Sequence, residues 1–249
     1  MASVECEVRE AAQSFLRSWS CGEPQSAHPS FVRYEATPSG LVGAADRPLL
    51  GDDGSCSVLS VLVLEQGLAA AAHVAYPGHA GWLTLLKGER WLVISAIVSA
   101  VVPGAVSPAD VGALMGACWD GYCSANRACD GDKMAEIFHP LCRLTFATEE
   151  DTIVIMSQED FVEKVRSRYE TPMHRPYAHL RHDPRAAAHD TLLGCSFATA
   201  DVAMVTLKVG HPPCLWTDLL CCAKLMGRWW IVAKSSCSEP FLAEERAAV

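Results

Sequence analysis

The sequence predicts an α+β protein of two tandem cone domains, each a curved antiparallel β-sheet with helices packed on one face. Three observations carry that prediction. The stretch Trp216 to Cys237, WTDLLCCAKLMGRWWIVAKSSC, is two apolar runs joined by a tight turn at Met226-Gly227-Arg228. A weaker copy, GWLTLLKGERWLVISAIVS, spans Gly81 to Ser99, and setting Arg90-Trp91 on Arg228-Trp229 gives a shift of 138 residues. A repeat at that spacing means two related domains, not a solenoid of small units. The third observation is element order, since the second half reads helix, helix, strand, strand, helix and then four strands.

The first domain is expected over residues 5–102. In ECEVREAAQSFLRSWS, Val8, Ala11, Ala12, Phe15, Leu16 and Trp19 recur at helical spacing, and Gly22-Glu23-Pro24 ends the helix. HPSFVRYEA begins strand structure, followed by a turn-rich passage at Pro38-Ser39-Gly40 and Gly51-Asp52-Asp53-Gly54. SVLSVLVLEQ, Leu68 to Tyr76, Trp82 to Leu86 and Trp91 to Ser99 are successive strands. No segment matches a third helix, so this copy is degenerate and its cavity is expected to be shallow or filled by its own side chains.

Pro103-Gly104-Ala105 is the linker, and the second domain is expected over 107–240. Ser107 is an N-cap with Pro108 at the first helical position, and the helix runs to about Cys129. Asp130-Gly131-Asp132 breaks it; KMAEIFHP is a second helix ended by Pro140, and LCRLTFA and Thr152 to Met156 are strands. Ser157-Gln158-Glu159-Asp160 has the form of a capping box opening a third helix to about Tyr169. A polar connection, HRPYAHLRHDPRAAAHD, leads into strands Leu192–Phe197, Val202–Val209, Trp216–Lys224 and Trp229–Cys237.

Composition excludes several functions. The formal net charge of −9 disfavours a general nucleic-acid binder and docking on anionic membrane, both of which ask for a basic face. No apolar run approaches the roughly 18–20 residues of a membrane span. The opening MASVECEVREAA lacks a basic-then-apolar leader pattern, so the cytoplasm is the expected location. Twelve cysteines without a Cys-x-x-Cys read as reduced, buried thiols, with Cys221-Cys222 facing opposite sides of a strand. No glycine-rich phosphate loop and no nucleophile elbow occur, and no cofactor or metal is expected.

The order of elements, with YCSANRACDGDKMAEIFHPLCRL, MSQEDFVEKV and TDLLCCAKLMGRWWIVAKSS in their places, resembles the nuclear-transport-factor-2-like (NTF2-like) superfamily, nearest its SnoaL-like and lumazine-binding-like groups. The resemblance covers 107–238 well and 5–100 more weakly. It implies a conical cavity between sheet and helices, and superfamily members range from isomerases to binding modules. The ketosteroid isomerases among them use a tyrosine and a protonated aspartate as an oxyanion hole, with a second aspartate as base. Carried over, these positions fall on Tyr122, on Asp218 and, for the base, on Phe146, which takes no proton. Cys118 and Trp216 complete the expected ligand-binding set. In the first half Ala11, Gly81 and Glu35 stand at the corresponding positions. The resemblance therefore implies a buried Asp218 with a raised pKa, donating beside Tyr122 to one ligand oxygen, and a Tyr122→Phe change that leaves folding nearly intact.

A core tyrosine and a strand-end aspartate are the plainer alternative for that pair. His174, His179, His182 and His189 with Arg175, Arg181 and Arg185 read as a solvated loop that could receive an anion at the cavity rim; His73 and His211 read as ordinary strand-end residues. The expected function is a small-molecule binding protein holding an apolar or aromatic ligand in the second cavity. The alternatives are a cofactor-independent isomerase, cyclase or dehydratase, and an interaction module using the sheet face. Relatives that pair through their sheets imply a monomer with an internal pseudo-dimer, for which Leu83, Leu85, Leu219 and Cys221 would supply the surface.

Overall fold

A computed structural model describes residues 3–20, 27–37, 40–43, 56–64, 67–101, 106–147, 152–180 and 189–240. Helix α1 (Val4–Ser20) forms where Val8, Ala12, Phe15 and Leu16, at helical spacing, are fully buried. Strands β1 (Ala27–Thr37), β2 (Gly40–Gly43), β3 (Ser57–Val63), β4 (Ala69–Tyr76), β5 (His79–Lys87) and β6 (Trp91–Ala100) form one sheet in the order β2-β1-β6-β5-β4-β3. The turn-rich passage thus hides a short strand, β2, paired antiparallel to β1. The segment expected to lack a helix, between β2 and β3, lies outside the described residues.

The second domain repeats the plan. Helix α2 (Pro108–Gly116) runs through a π-helical stretch, Ala117–Cys123, into α3 (Ser124–Ala128); α4 (Gly131–Ile137) and α5 (Gln158–Arg166) complete the helical layer. Capping boxes hold the starts of α2 (Ser107 with Asp110) and α5 (Ser157 with Asp160). Strands β7 (Phe138–Ala147), β8 (Ile153–Ser157), β9 (Thr191–Thr199), β10 (Val202–His211), β11 (Cys214–Leu225) and β12 (Arg228–Pro240) lie in the order β8-β7-β12-β11-β10-β9. Pro140 sits in strand β7 and does not end a helix; it is tolerated because the β7–β12 register jumps there, from Phe138↔Ile231 to Arg143↔Ala233. The first domain has the same jump, from Ala27↔Val93 to Val32↔Ser95, so the duplication extends to an irregularity of pairing.

The two sheets pack face to face. Tyr34, Trp82, Leu86, Ile94 and Ile97 of the first meet Val202, Met204, Leu219, Cys221 and Val232 of the second in one buried cluster. The Tyr34 hydroxyl donates to the Leu141 carbonyl across the interface, and Ser99 Oγ pairs with Thr199 Oγ1 at 2.8 Å. Helix α1 covers the outer face of one sheet and α2–α5 that of the other, so the chain is an internal pseudo-dimer in four layers. Leu219 and Cys221 face the partner sheet as expected, but Leu83 and Leu85 point the other way, into the core under α1. The hairpins explain the correction. Lys87 pairs with Trp91 across three residues, whereas Lys224 pairs with Trp229 across four, so β5 runs one residue out of step with β11. A one-residue slip turns every side chain to the other face. Vicinal Cys221 and Cys222 do divide between the two sides, and the described cysteines are free thiols. No described helix is long and apolar enough to cross a membrane, and the described residues hold no cluster of metal-ligating side chains.

Candidate functional site

The second cone is walled by β7, β10, β11 and β12 and roofed by the helices. Tyr122 reaches it from the π-helical stretch, a widened turn of the kind often found at functional sites, and is 2% exposed. Asp218 lies mid-strand in β11, opposite Ser236 of β12, and Lys234 shares the inward face of β12 two residues before Ser236. The Tyr122 hydroxyl donates to Asp218 Oδ2 at 2.5 Å, the Ser236 hydroxyl donates to Oδ1 at 2.5 Å, and Lys234 Nζ pairs with Oδ1 at 2.7 Å. Asp218 and Ser236 are fully buried and Lys234 is 2% exposed. Burial draws the Lys234 ammonium below the usual lysine range, with the Asp218 carboxylate opposing, and pushes the Tyr122 phenol well above its usual value.

This geometry corrects the expected pair of donors. Tyr122 and Asp218 do meet, yet the carboxylate is engaged as an acceptor by a phenol, a hydroxyl and an ammonium. Its two oxygens are taken up by these contacts, and the phenol spends its own proton on the carboxylate. Phe146, at the place of the base, faces the cone; Lys234 Nζ lies 5.0 Å from its ring, 5.4 Å from the Phe161 ring and 5.7 Å from the Tyr122 ring. Cys118 does not join this group: its sulfur lies 3.9 Å from that of Cys222, deeper between helix and sheet.

Sequence reasoning missed the cations. Arg168, 5% exposed, is held by the Asn126 carbonyl and side chain, and burial lowers it. Lys164 lies 5.3 Å from the Phe146 ring and is lowered by burial and then by Lys234 and Arg168. His174 is lowered to about 4 by burial, Arg168 and Lys164. His211, read as an ordinary strand end, is packed 6.0 Å from the Trp216 ring and 5.7 Å from His174, and burial keeps it neutral. Trp216 in turn meets Phe146 at 5.6 Å. Trp216 Nε1 and His211 Nδ1 are buried with no hydrogen-bond partner. One signal was available: in WWIVAKSSC, Lys234 and Ser236 occupy alternate positions that face the cone, where an apolar side chain is expected. Of the His/Arg-rich segment, Arg181, His182 and Arg185 lie outside the described residues, while Arg175 and His179 are exposed on a 3₁₀ stretch, Arg175–Leu180.

The first domain lacks this chemistry. Gly81 pairs with Val98 as Asp218 pairs with Ser236, and Ala96 stands where Lys234 does, so the charged group is replaced by small apolar residues. Glu35 pairs with Val98 as Phe146 pairs with Ser236, which puts its backbone at the expected position; its side chain is outside the described set.

Residues 112–235 match the family described as "Putative lumazine-binding". No curated protein matches. Among solved structures the chain is similar to an NTF2-like protein of unknown function from Silicibacter pomeroyi, with 17% identity over 53% of this chain and 99% of that one and a TM-score of 0.42. It is also similar to an NTF2-like protein of unknown function from Methylobacillus flagellatus (18% identity, 54% and 95% covered, TM-score 0.42). A third is a ketosteroid isomerase-like protein from Erwinia carotovora atroseptica (12% identity, 53% and 98% covered, TM-score 0.38).

Proposed function

From a chain of two tandem NTF2-like domains, the second of which carries the lumazine-binding match, we propose a small-molecule binding protein whose second cone takes a planar aromatic ligand with anionic or electron-rich oxygen character. The carrying observation is a pair of unpartnered polar atoms beside Phe146 in that cone. Trp216 Nε1 and His211 Nδ1 are buried there without partners, against the rings of Phe146 and His174. Unpaired buried polar groups are costly, and a ligand oxygen that accepts from the Trp216 indole N–H relieves that cost. Charge points the same way. Burial lowers Lys164, Lys234 and Arg168 alike, Lys234 and Arg168 lower Lys164 further and Arg168 lowers Lys234, while Asp218 is already paired with Lys234. Tyr122 and Asp218 then serve as the floor that fixes Lys234 and do not touch the ligand oxygen. Phe146 in place of a base argues for binding over proton transfer.

Calorimetric titration of the full chain with lumazine, and with naphthoate as an anionic bicycle, tests this reading. Trp216→Phe keeps an aromatic ring, though a smaller one, and removes the N–H; Lys164→Met keeps the stem and removes the charge. Each is expected to weaken binding by roughly 1–3 kcal/mol. Heat from neither probe, or equal affinities in both variants, would sink it.

A further inference from the structure

A second site lies where the two sheets face each other. A cavity of about 480 Å³ opens between β3 and β9, the edge strands of the two sheets, and reaches β5, β10 and β11. Leu62, Leu64, Leu193 and Met204 supply apolar wall, and Trp82 and Thr217 line it from opposite domains. Elsewhere at this interface buried hydroxyls find each other: Thr84 with Ser95 at 2.5 Å, Thr145 with Ser235 at 2.8 Å, Ser99 with Thr199 at 2.8 Å. At the cavity they do not. Thr217 is 2% exposed and Trp82 3% exposed, yet Thr217 Oγ1 and Trp82 Nε1 have no hydrogen-bond partner. His73, stacked on Trp82 at 4.9 Å, has its Nε2 buried and unpartnered as well, and burial keeps its ring neutral. Native interiors satisfy such groups with protein, water or ligand. Among the described lining residues the charged group is Lys208, and it is paired with Glu239 at 3.0 Å.

We propose that this cavity binds a small uncharged molecule, largely apolar, with an oxygen acceptor for Trp82 Nε1 and Thr217 Oγ1. A volume of about 480 Å³ is within the range of ordinary ligand pockets. One donor comes from each domain, so the ligand bridges the two halves of the pseudo-dimer. Its recognition differs from that of the cone, which collects positive charge. An extended peptide pairing with the open edges of β3 or β9 is the competing occupant.

Titration of the full chain with prodan, a neutral naphthyl ketone whose emission shifts to the blue in apolar surroundings, tests the proposal. One blue-shifted molecule per chain is expected. Thr217→Val, which keeps the shape and deletes the hydroxyl, should weaken it about 5- to 10-fold. Met204→Trp should abolish it by filling the cavity; should that variant fail to fold, Leu193→Trp at the half-exposed rim is the substitute. Excess lumazine should leave prodan in place. Absence of a blue shift, unchanged affinity in Thr217→Val and Leu193→Trp, or displacement by lumazine would each overturn the assignment, the last by moving the ligand to the cone.

Discussion

At the scale of single residues, the chemistry of the second cone rests on how Asp218 is satisfied. A fully buried carboxylate is sustained by three donors, from Tyr122, Ser236 and Lys234. Removing one partner of such a pair costs far more than the pair contributes net, because the other charge stays buried. Lys234→Met is therefore expected to destabilise the chain by about 3–5 kcal/mol in urea titrations, and adding Asp218→Asn should restore part of the loss. If the double variant were no more stable than the single one, the ion pair would not be the cause. Tyr122→Phe, expected from sequence to spare folding, should now cost about 1–3 kcal/mol, since it strips a donor from a buried carboxylate. The histidines set a second, pH-dependent expectation. His174 falls to about 4 and His211 well below 6.5, so the unfolded chain binds protons that the folded chain refuses. Stability from these groups is complete above pH 6.5 and declines as pH falls toward 4. His174→Gln should flatten the slope of the urea midpoint over that window; a midpoint rising with acid would contradict it.

At the scale of elements, the two hairpins carry the contrast between the domains. Gly81 holds the place of Asp218 because β6 leaves no room for a side chain: a Cβ there would lie 2.0 Å from the Ile97 carbonyl oxygen and 2.8 Å from Val98 Cα. Backbone atoms cannot yield as a flexible side chain can. Gly81→Ala is thus expected to destabilise the chain by about 3 kcal/mol or more in a thermal or urea melt, at the upper end of overpacking costs. Gly194, with nothing within 4 Å of its Cβ position, is the tolerant control. In the first domain tight strand packing stands where the second has its polar site.

At the scale of the whole molecule, the apolar inner face of each sheet is covered by the chain's own other half. The apolar faces are used up internally, and among the described residues the large apolar side chains left exposed on the edge strands β3 and β9 are Leu59, Leu62, Leu192 and Leu193. Light scattering of the full chain should give the mass of one copy, 26.8 kDa. A stable dimer at micromolar concentration would mean that those edge leucines, not the sheet faces, carry association.

Apart from strand β2 and the boundary at Pro140, the sequence by itself determined the described elements, their order and their duplication, because these follow from local periodicity, caps and turns. The capping boxes at Ser107 and Ser157 and the paired hairpins at Trp91 and Trp229 are of this kind. It also brought Tyr122 and Asp218 together through the frame of the resemblance. Only the tertiary structure decided what Asp218 does. Lys234 sits sixteen residues along the chain from it, but across one strand pairing, and a cation at that distance turns a supposed donor into an acceptor. The sidedness of Leu83 and Leu85, the packing of His211 on Trp216 and the cavity between the sheets likewise depended on register and on how two sheets meet. Those are long-range outcomes of a one-residue difference in a turn and of packing between distant strands, and no local pattern encodes them.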